Sequence, residues 1–343
     1  MADNPYAGVG IVAVGDHFVP RPGPGARVAR TWREPGARPA NLSVLGHHRT
    51  GKSSLVHWAA AQCARPDLRT VFIDVGTLDS GDALLRAMVR ETLRWPGLPA
   101  ALVVIGESAL TAGTWDYLHQ TVTDFFAALR GDGRCVMIVL DEFDRASQVC
   151  RRLAEFQLLR SLASEEAYSV GLITISRRRV KDIEIDAAGG SILDGVLALR
   201  QPVGMFVPAE GDAMLGLASV LGVDLLPVRD QVNDLAGLHP YLLELLCFGI
   251  VEHFQDSGEV DVDWAYEEAS GTFLDYFDRL AAVIESDLGD KGLALLRELA
   301  SGAPLSPGYA RELSQCRQFG IVASGAGRPA LFAPAFARHL LAM

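Results

Sequence analysis

Residues 42–45 (LSVL), 70–75 (TVFIDV), 134–140 (RCVMIVL) and 169–176 (SVGLITIS) are short runs in which apolar residues follow one another without alternation. Runs of that kind, bounded by polar residues, predict strands of a parallel sheet buried on both faces. Between them the pattern shifts to helical spacing. Leu84, Met88 and Leu93 share one side of residues 80–94, and Tyr117, Val122, Phe125, Phe126 and Leu129 mark residues 115–130. Residues 53–62 and 147–163 also predict helices. Strands alternating with helices of this length imply an α/β fold, a doubly wound parallel sheet with helices on both faces.

The alternation stops at about residue 208. Residues 209–256 predict several helices, residues 263–299 are largely helical, and residues 309–319 predict one helix more. Two short apolar pieces, 321–323 and 330–332, flank a glycine-rich turn, which suggests a winged-helix unit. Residues 1–40 are rich in Gly, Pro and Arg and predict an ordered but irregular lead-in. The expected organisation is a lead-in over 1–40, a core over 41–207, a helical lid over 208–262 and a winged-helix-like domain over 263–343.

Composition narrows this picture without redirecting it. Of 343 residues 49% are hydrophobic, enough for globular domains with real cores, and no apolar stretch approaches the ~20 residues of a membrane-spanning helix. The N-terminus lacks a basic region followed by an apolar core, so no signal peptide is expected. Five scattered cysteines read as reduced thiols of a cytoplasmic protein. A net charge of -11 argues against the whole surface being a nucleic-acid footprint, although one domain could carry a basic face.

Chemistry enters at residues 46–54 (GHHRTGKSS), which fit the phosphate-binding pattern G-x-x-x-x-G-K-[ST] between a predicted strand and a predicted helix. In such a turn Gly46, Thr50, Gly51 and Ser54 belong to a loop whose backbone N–H groups point at phosphate, reinforced by the helix N-terminus. Lys52 would reach the β- and γ-phosphates and Ser53 would ligate Mg²⁺. The run 134–140 ends in Asp141 and Glu142. Asp141 at a strand end would hold the Mg²⁺ shell and Glu142 would polarise the attacking water. Ligands of open α/β sheets bind beyond the carboxyl ends of the strands, so both motifs are expected on one edge. Asp144 and Arg145 read more simply as a pair or cap for the next helix.

Together these motifs resemble the STAND-like, archaeal-type branch of AAA+ P-loop ATPases. The resemblance rests on Asn4-Pro5-Tyr6, Phe18-Val19-Pro20-Arg21, the loop from Gly46 to Ser54, Asp141 to Arg145, Ile175-Ser176-Arg177 and Gly237-Leu238-His239-Pro240-Tyr241. It implies that Arg21 helps seat the nucleotide, that Arg177 senses the γ-phosphate, and that Pro240 with His239 places a lid against the adenine and phosphates. His47, His48 and Pro20 depart from the residues common in such chains. The resemblance also implies ATP and Mg²⁺ as ligands, slow hydrolysis, and assembly into homo-oligomers in the ATP state. A switch of this type would act in signalling or bacterial defence through a separate protein effector. The alternative is a DNA-handling ATPase similar to origin-recognition or transposition proteins. Its contact would lie in the tail, where Lys291, Arg297, Arg311, Arg317, Arg328 and Arg338 outnumber Glu298 and Glu312.

Overall fold

The computed structural model describes residues 3–323 and 328–343, which form two compact units. The first, a sheet unit, comprises residues 22–46 and 55–202; the second, a helical unit, comprises residues 1–21, 47–54 and 203–343.

The sheet unit contains, in chain order, α1 (Pro22–Ala29), β1 (Leu42–Leu45), α2 (Lys52–Gln62, whose first residues group with the helical unit), β2 (Leu68–Asp74), α3 (Gly81–Leu93), α4 (Ala100–Thr111), α5 (Trp115–Gly131), β3 (Cys135–Asp141), α6 (Ala146–Val149), α7 (Leu153–Ser164), β4 (Val170–Ser176), α8 (Val180–Ala188) and β5 (Arg200–Pro202). Its five strands are all parallel and run in the order β2-β3-β4-β1-β5. The apolar runs become the strands because each side chain finds a covered face. Val136, Met137, Ile138, Val139 and Leu140 are all at most 1% exposed, and each such burial contributes roughly 1.5–3 kcal/mol. Helix starts follow the side chains that can cap them: Ser80 Oγ accepts from the Ala83 N–H ahead of α3, and Thr114 Oγ1 from the Tyr117 N–H ahead of α5.

Four features differ from the expectation. The lead-in holds a helix, α1, despite two prolines and two glycines; Val28 is its buried anchor, and Gly25 lies where a Cβ would meet the Trp58 ring at 2.6 Å. The single helix expected over 147–163 is two helices, broken by extended backbone at Cys150 and Arg152. Helix α4 is additional. Its run ALVVI gives no helical stripe, but it packs between α3 and α5, and Gly106 lets it approach Leu93. The short polar strand β5 is also additional and pairs with β1.

The helical unit contains α9 (Pro208–Gly216), α10 (Arg229–Ala236), α11 (Pro240–Ser257), α12 (Val262–Leu288), α13 (Asp290–Ser301), α14 (Ala310–Gln318) and α15 (Pro334–Ala342). Leu242, Leu243, Leu246, Phe273, Phe277, Leu295 and Phe336 are in its core. The start of the chain is pinned into this core. The buried Tyr6 hydroxyl donates to Met214 O at 2.8 Å and accepts from the Ala218 N–H at 3.1 Å, while Asn4 Nδ2 donates to Phe248 O and Glu252 Oε1. Near the C-terminus Val322 and Leu331 form an isolated antiparallel bridge; most of the glycine-rich turn between them, 324–327, lies outside the described residues. Among the described residues no helix is long and apolar enough to cross a membrane.

Candidate functional site

The phosphate-binding motif starts where β1 ends. The Gly46 N–H donates to Ser176 O, the last residue of β4, at 3.1 Å, so the loop leaves the sheet from a fixed point. Arg49 (φ 61°) and Gly51 (φ 82°) then adopt left-handed backbone, which curls the chain before α2 begins at Lys52. A Cβ on Gly51 would stand in open space. The residue is glycine for its backbone angle and for the room it leaves beside the N–H groups at the helix start. Thr50 Oγ1 and Lys52 Nζ both donate to His47 O, at 3.0 and 2.7 Å, and Ser54 Oγ accepts from the Ala13 N–H at 3.0 Å.

Three variable positions of this loop, His47, His48 and Arg49, each contact the helical unit, although of the three only His47 is buried. His47 is buried and meets the Phe319 ring edge-on, with centroids 5.2 Å apart. His48 O accepts from the Tyr276 hydroxyl at 3.4 Å, and the Arg49 guanidinium lies 4.1 Å over the Tyr241 ring. The loop is thus held in the helical unit by the His47 and Arg49 side chains, on the segment after α14 and on α11, and by the His48 carbonyl, on α12.

Arg21 stands beside the loop but is spent on the fold. It is 4% exposed and donates to Glu210 Oε2, Thr50 O, Gly204 O and Met205 O, with its guanidinium 5.2 Å from the Phe206 ring centre. Burial pulls its pKa down and Glu210 opposes the shift. Its link to the loop is therefore the Thr50 carbonyl. His239 is fully buried and caps α11, with Nδ1 accepting from the Leu242 N–H and Nε2 on the Tyr276 hydroxyl; Pro240 is the first residue of the helix. Burial, with His47 and Arg49 nearby, lowers the His239 pKa to about 3, so the ring is neutral. Both of its nitrogens are engaged within the protein.

The sheet edge carries the acidic chemistry. Asp141 closes β3 with one carboxylate oxygen accepting from the Glu142 N–H at 2.8 Å, and Asp74, at the end of β2, is its register partner. Glu142 has left-handed backbone (φ 50°, ψ 39°) and starts a tight 3-10 turn, Phe143–Arg145. A non-glycine residue held there costs about 1–3 kcal/mol, a strain that collects at functional sites. Arg177 follows β4 directly, and its N–H donates to Asp144 Oδ2 at 2.6 Å. Asp144 thus reaches a neighbouring strand, where a local pair or helix cap was expected. His57, stacked on Phe72 at 3.8 Å, has a pKa lowered by burial and partly restored by Asp141.

The structure gathers Gly46, Asp141, Glu142 and Arg177 at the carboxyl ends of β1, β3 and β4, and gathers Thr50 to Ser54 with Arg21, His239 and Pro240 in the helical unit. The residues around Gly51 and the carboxylate of Asp141 fit a nucleotide phosphate and a divalent cation chemically: N–H donors at a helix start, an ammonium, and an anionic oxygen ligand. Sequence reasoning missed Asp74 and Tyr276, and gave Asp144 only a local role as a pair or cap. Only the position of Asp74 at the end of an apolar run offered a signal.

No family model and no curated protein matches the chain. Solved structures do. The Walker-type ATPase paby2304 of Pyrococcus abyssi superposes with a TM-score of 0.57 at 13% identity, covering 95% of this chain and 97% of that one. The ORC2 protein of Aeropyrum pernix, in ADPNP and ADP complexes, gives 0.58 at 13% identity with 96% of each chain covered. The ORC1 protein of Aeropyrum pernix, in complex with DNA, gives 0.54 at 16% identity over 95% of this chain and 94% of that one. The chain has the fold of these P-loop ATPases over nearly its whole length.

Proposed function

We propose that this protein is an ATPase of the AAA+ kind that works on DNA. The observation that carries the ATPase reading is the shared sheet edge. Gly46 opens G-x-x-x-x-G-K-S at the end of β1, and Asp141 and Glu142 end β3 of the same parallel sheet. In this reading backbone N–H groups of residues 47–54 and the Lys52 ammonium hold the β- and γ-phosphates. Ser53 and Asp141 hold Mg²⁺, which neutralises charge developing on the phosphates. Glu142 orients and polarises water, and Arg177 stabilises the γ-phosphate. Lys52→Ala is expected to abolish ATP binding, and Glu142→Gln to retain binding while slowing hydrolysis by about 100-fold; unchanged turnover in both sinks the reading.

The DNA-handling reading is supported by the likeness to the DNA-bound ORC1 structure and by the surface of the tail. Arg311 and Arg317 are exposed on α14 while Glu312 is buried, so the short helix presents a basic face. In this reading α13 to α15 and the Val322–Leu331 bridge belong to a winged-helix unit. Duplex affinity that falls steeply with salt and is weakened by Arg311→Ala/Arg317→Ala supports this reading; no binding at low salt overturns it.

A signalling switch acting through a separate effector is the second reading, favoured by the seating of His47, His48 and Arg49 against Phe319, Tyr276 and Tyr241. It calls for self-assembly with an ATP analogue and Mg²⁺ that Lys52→Ala abolishes, measured by light scattering after size-exclusion chromatography.

A further inference from the structure

We infer that Asp144 is a positioning residue for Arg177, an inference that rests on the ATPase reading above. The Asp144 carboxylate bridges two successive backbone amides. Oδ2 accepts from the Arg177 N–H at 2.6 Å and Oδ1 from the Arg178 N–H at 3.1 Å. The first amide belongs to the peptide plane before the Arg177 Cα, the second to the plane after it. Because peptide planes are rigid, holding both fixes φ and ψ at residue 177 and with them the direction in which its side chain leaves the backbone.

Neighbouring contacts stiffen the same segment. Ser176 Oγ donates to Arg178 O at 2.8 Å, closing the turn from inside, and Ser176 O receives the Gly46 N–H. The position of Asp144 follows from Glu142. Left-handed backbone at 142 folds the 3-10 turn back, so that residue 144 points at β4, the strand next to its own. One turn thus sets both Glu142, which precedes Asp144 by two residues, and Arg177, across the strand gap. Both N–H groups lie beyond the end of β4, where the carboxylate supplies strong, charge-assisted acceptors for them.

A plainer role for Asp144 would be its ion pair with Arg178, whose Nε lies 3.4 Å from Oδ1 and whose Nη1 is bonded to Asp186 in α8. The two roles separate by mutation. Arg178→Ala removes the pair and keeps both amide bonds. Asp144→Asn keeps one acceptor and turns an NH₂ group against the other amide.

The test is single-turnover ATP hydrolysis and ATP affinity in the full chain, for Asp144→Asn, Arg177→Ala, their double variant and Arg178→Ala. Asp144→Asn is expected to slow hydrolysis about 10- to 100-fold, as small misplacements near a reacting group do, with ATP affinity changed by less than about threefold. The double variant is expected to be no slower than Arg177→Ala alone, and Arg178→Ala to stay within about twofold of the parent. Independent losses for Asp144→Asn and Arg177→Ala, or an Arg178→Ala variant as slow as Asp144→Asn, overturn the inference. Should Asp144→Asn fail to fold, hydrogen exchange on the parent protein decides: strong protection of the Arg177 and Arg178 amides is expected, and free exchange of either overturns it. A parent protein that binds no ATP would instead sink the ATPase reading itself.

Discussion

The Arg49 guanidinium lies 4.1 Å over the Tyr241 ring, so a variable position of the phosphate loop is stacked on the first turn of α11. An exposed cation over an aromatic face contributes about 0.5–1 kcal/mol. Arg49→Ala is expected to lower stability by that amount. In a double-mutant cycle with Tyr241→Leu, measured by chemical denaturation, the two losses should not add; full additivity would show that the stack contributes nothing.

Arg21 offers the sharpest separation of a structural from a ligand-binding role. Removing it leaves Glu210 buried without its partner, which costs about 3–5 kcal/mol. Arg21→Met is expected to melt early with and without nucleotide, while the stabilisation that ADP adds to the folded variant is unchanged. If that increment disappears, Arg21 touches the nucleotide after all.

Tyr276→Phe tests the buried link between the loop and the start of α11. The substitution keeps the ring and removes the hydroxyl that joins His239 Nε2 to His48 O. A buried polar group left without its partner costs about 1–3 kcal/mol, and that loss is expected in thermal or chemical melting. A neutral substitution would mean that water replaces the hydroxyl.

Glu244, on α11, should give the protein a pH-dependent stability. Burial lifts its pKa from 4.5 to about 7, opposed by the Gly10 amide on its carboxylate and by His17. The folded chain therefore holds the proton more tightly than the unfolded chain. The resulting stabilisation is complete below pH 4.5 and is lost as pH rises through about 7. Melting temperature is expected to fall from pH 5 to pH 7.5 more steeply for the parent than for Glu244→Gln, with the variant the more stable at pH 8. Parallel curves would remove Glu244 as the cause.

The features legible in sequence are those set by local pattern. The four buried strands, the strand-loop-helix at Gly46 and the carboxylates ending β3 needed only apolar runs and their boundaries. What escaped depends on contacts across the chain. The three residues Arg200 to Pro202 become β5 because β1 offers them an edge, and α1 survives its prolines and glycines because Val28 is buried. The partner of Arg21 is likewise distant, since Glu210, which accepts from its guanidinium, lies 189 positions away. Tyr276 carries no motif, and its partner carbonyl is 228 positions distant. Asp144 lies within a recognised motif, yet its acceptors serve amides that follow a different strand.

Tyr276 also divides α12 unevenly, with 14 residues before it to Val262 and 12 after it to Leu288. At 1.5 Å per residue the helix extends about 21 Å to one side of the tyrosine and about 18 Å to the other. Anchored to the loop at this point, α12 has the geometry of a seesaw. A tilt of about 5° around the hydroxyl moves its ends by roughly 1.5–2 Å in opposite senses, at the same axial rise. A change at His48 that tilted α12 would be carried in opposite senses to its two ends, against α11 and α13, which pack on it.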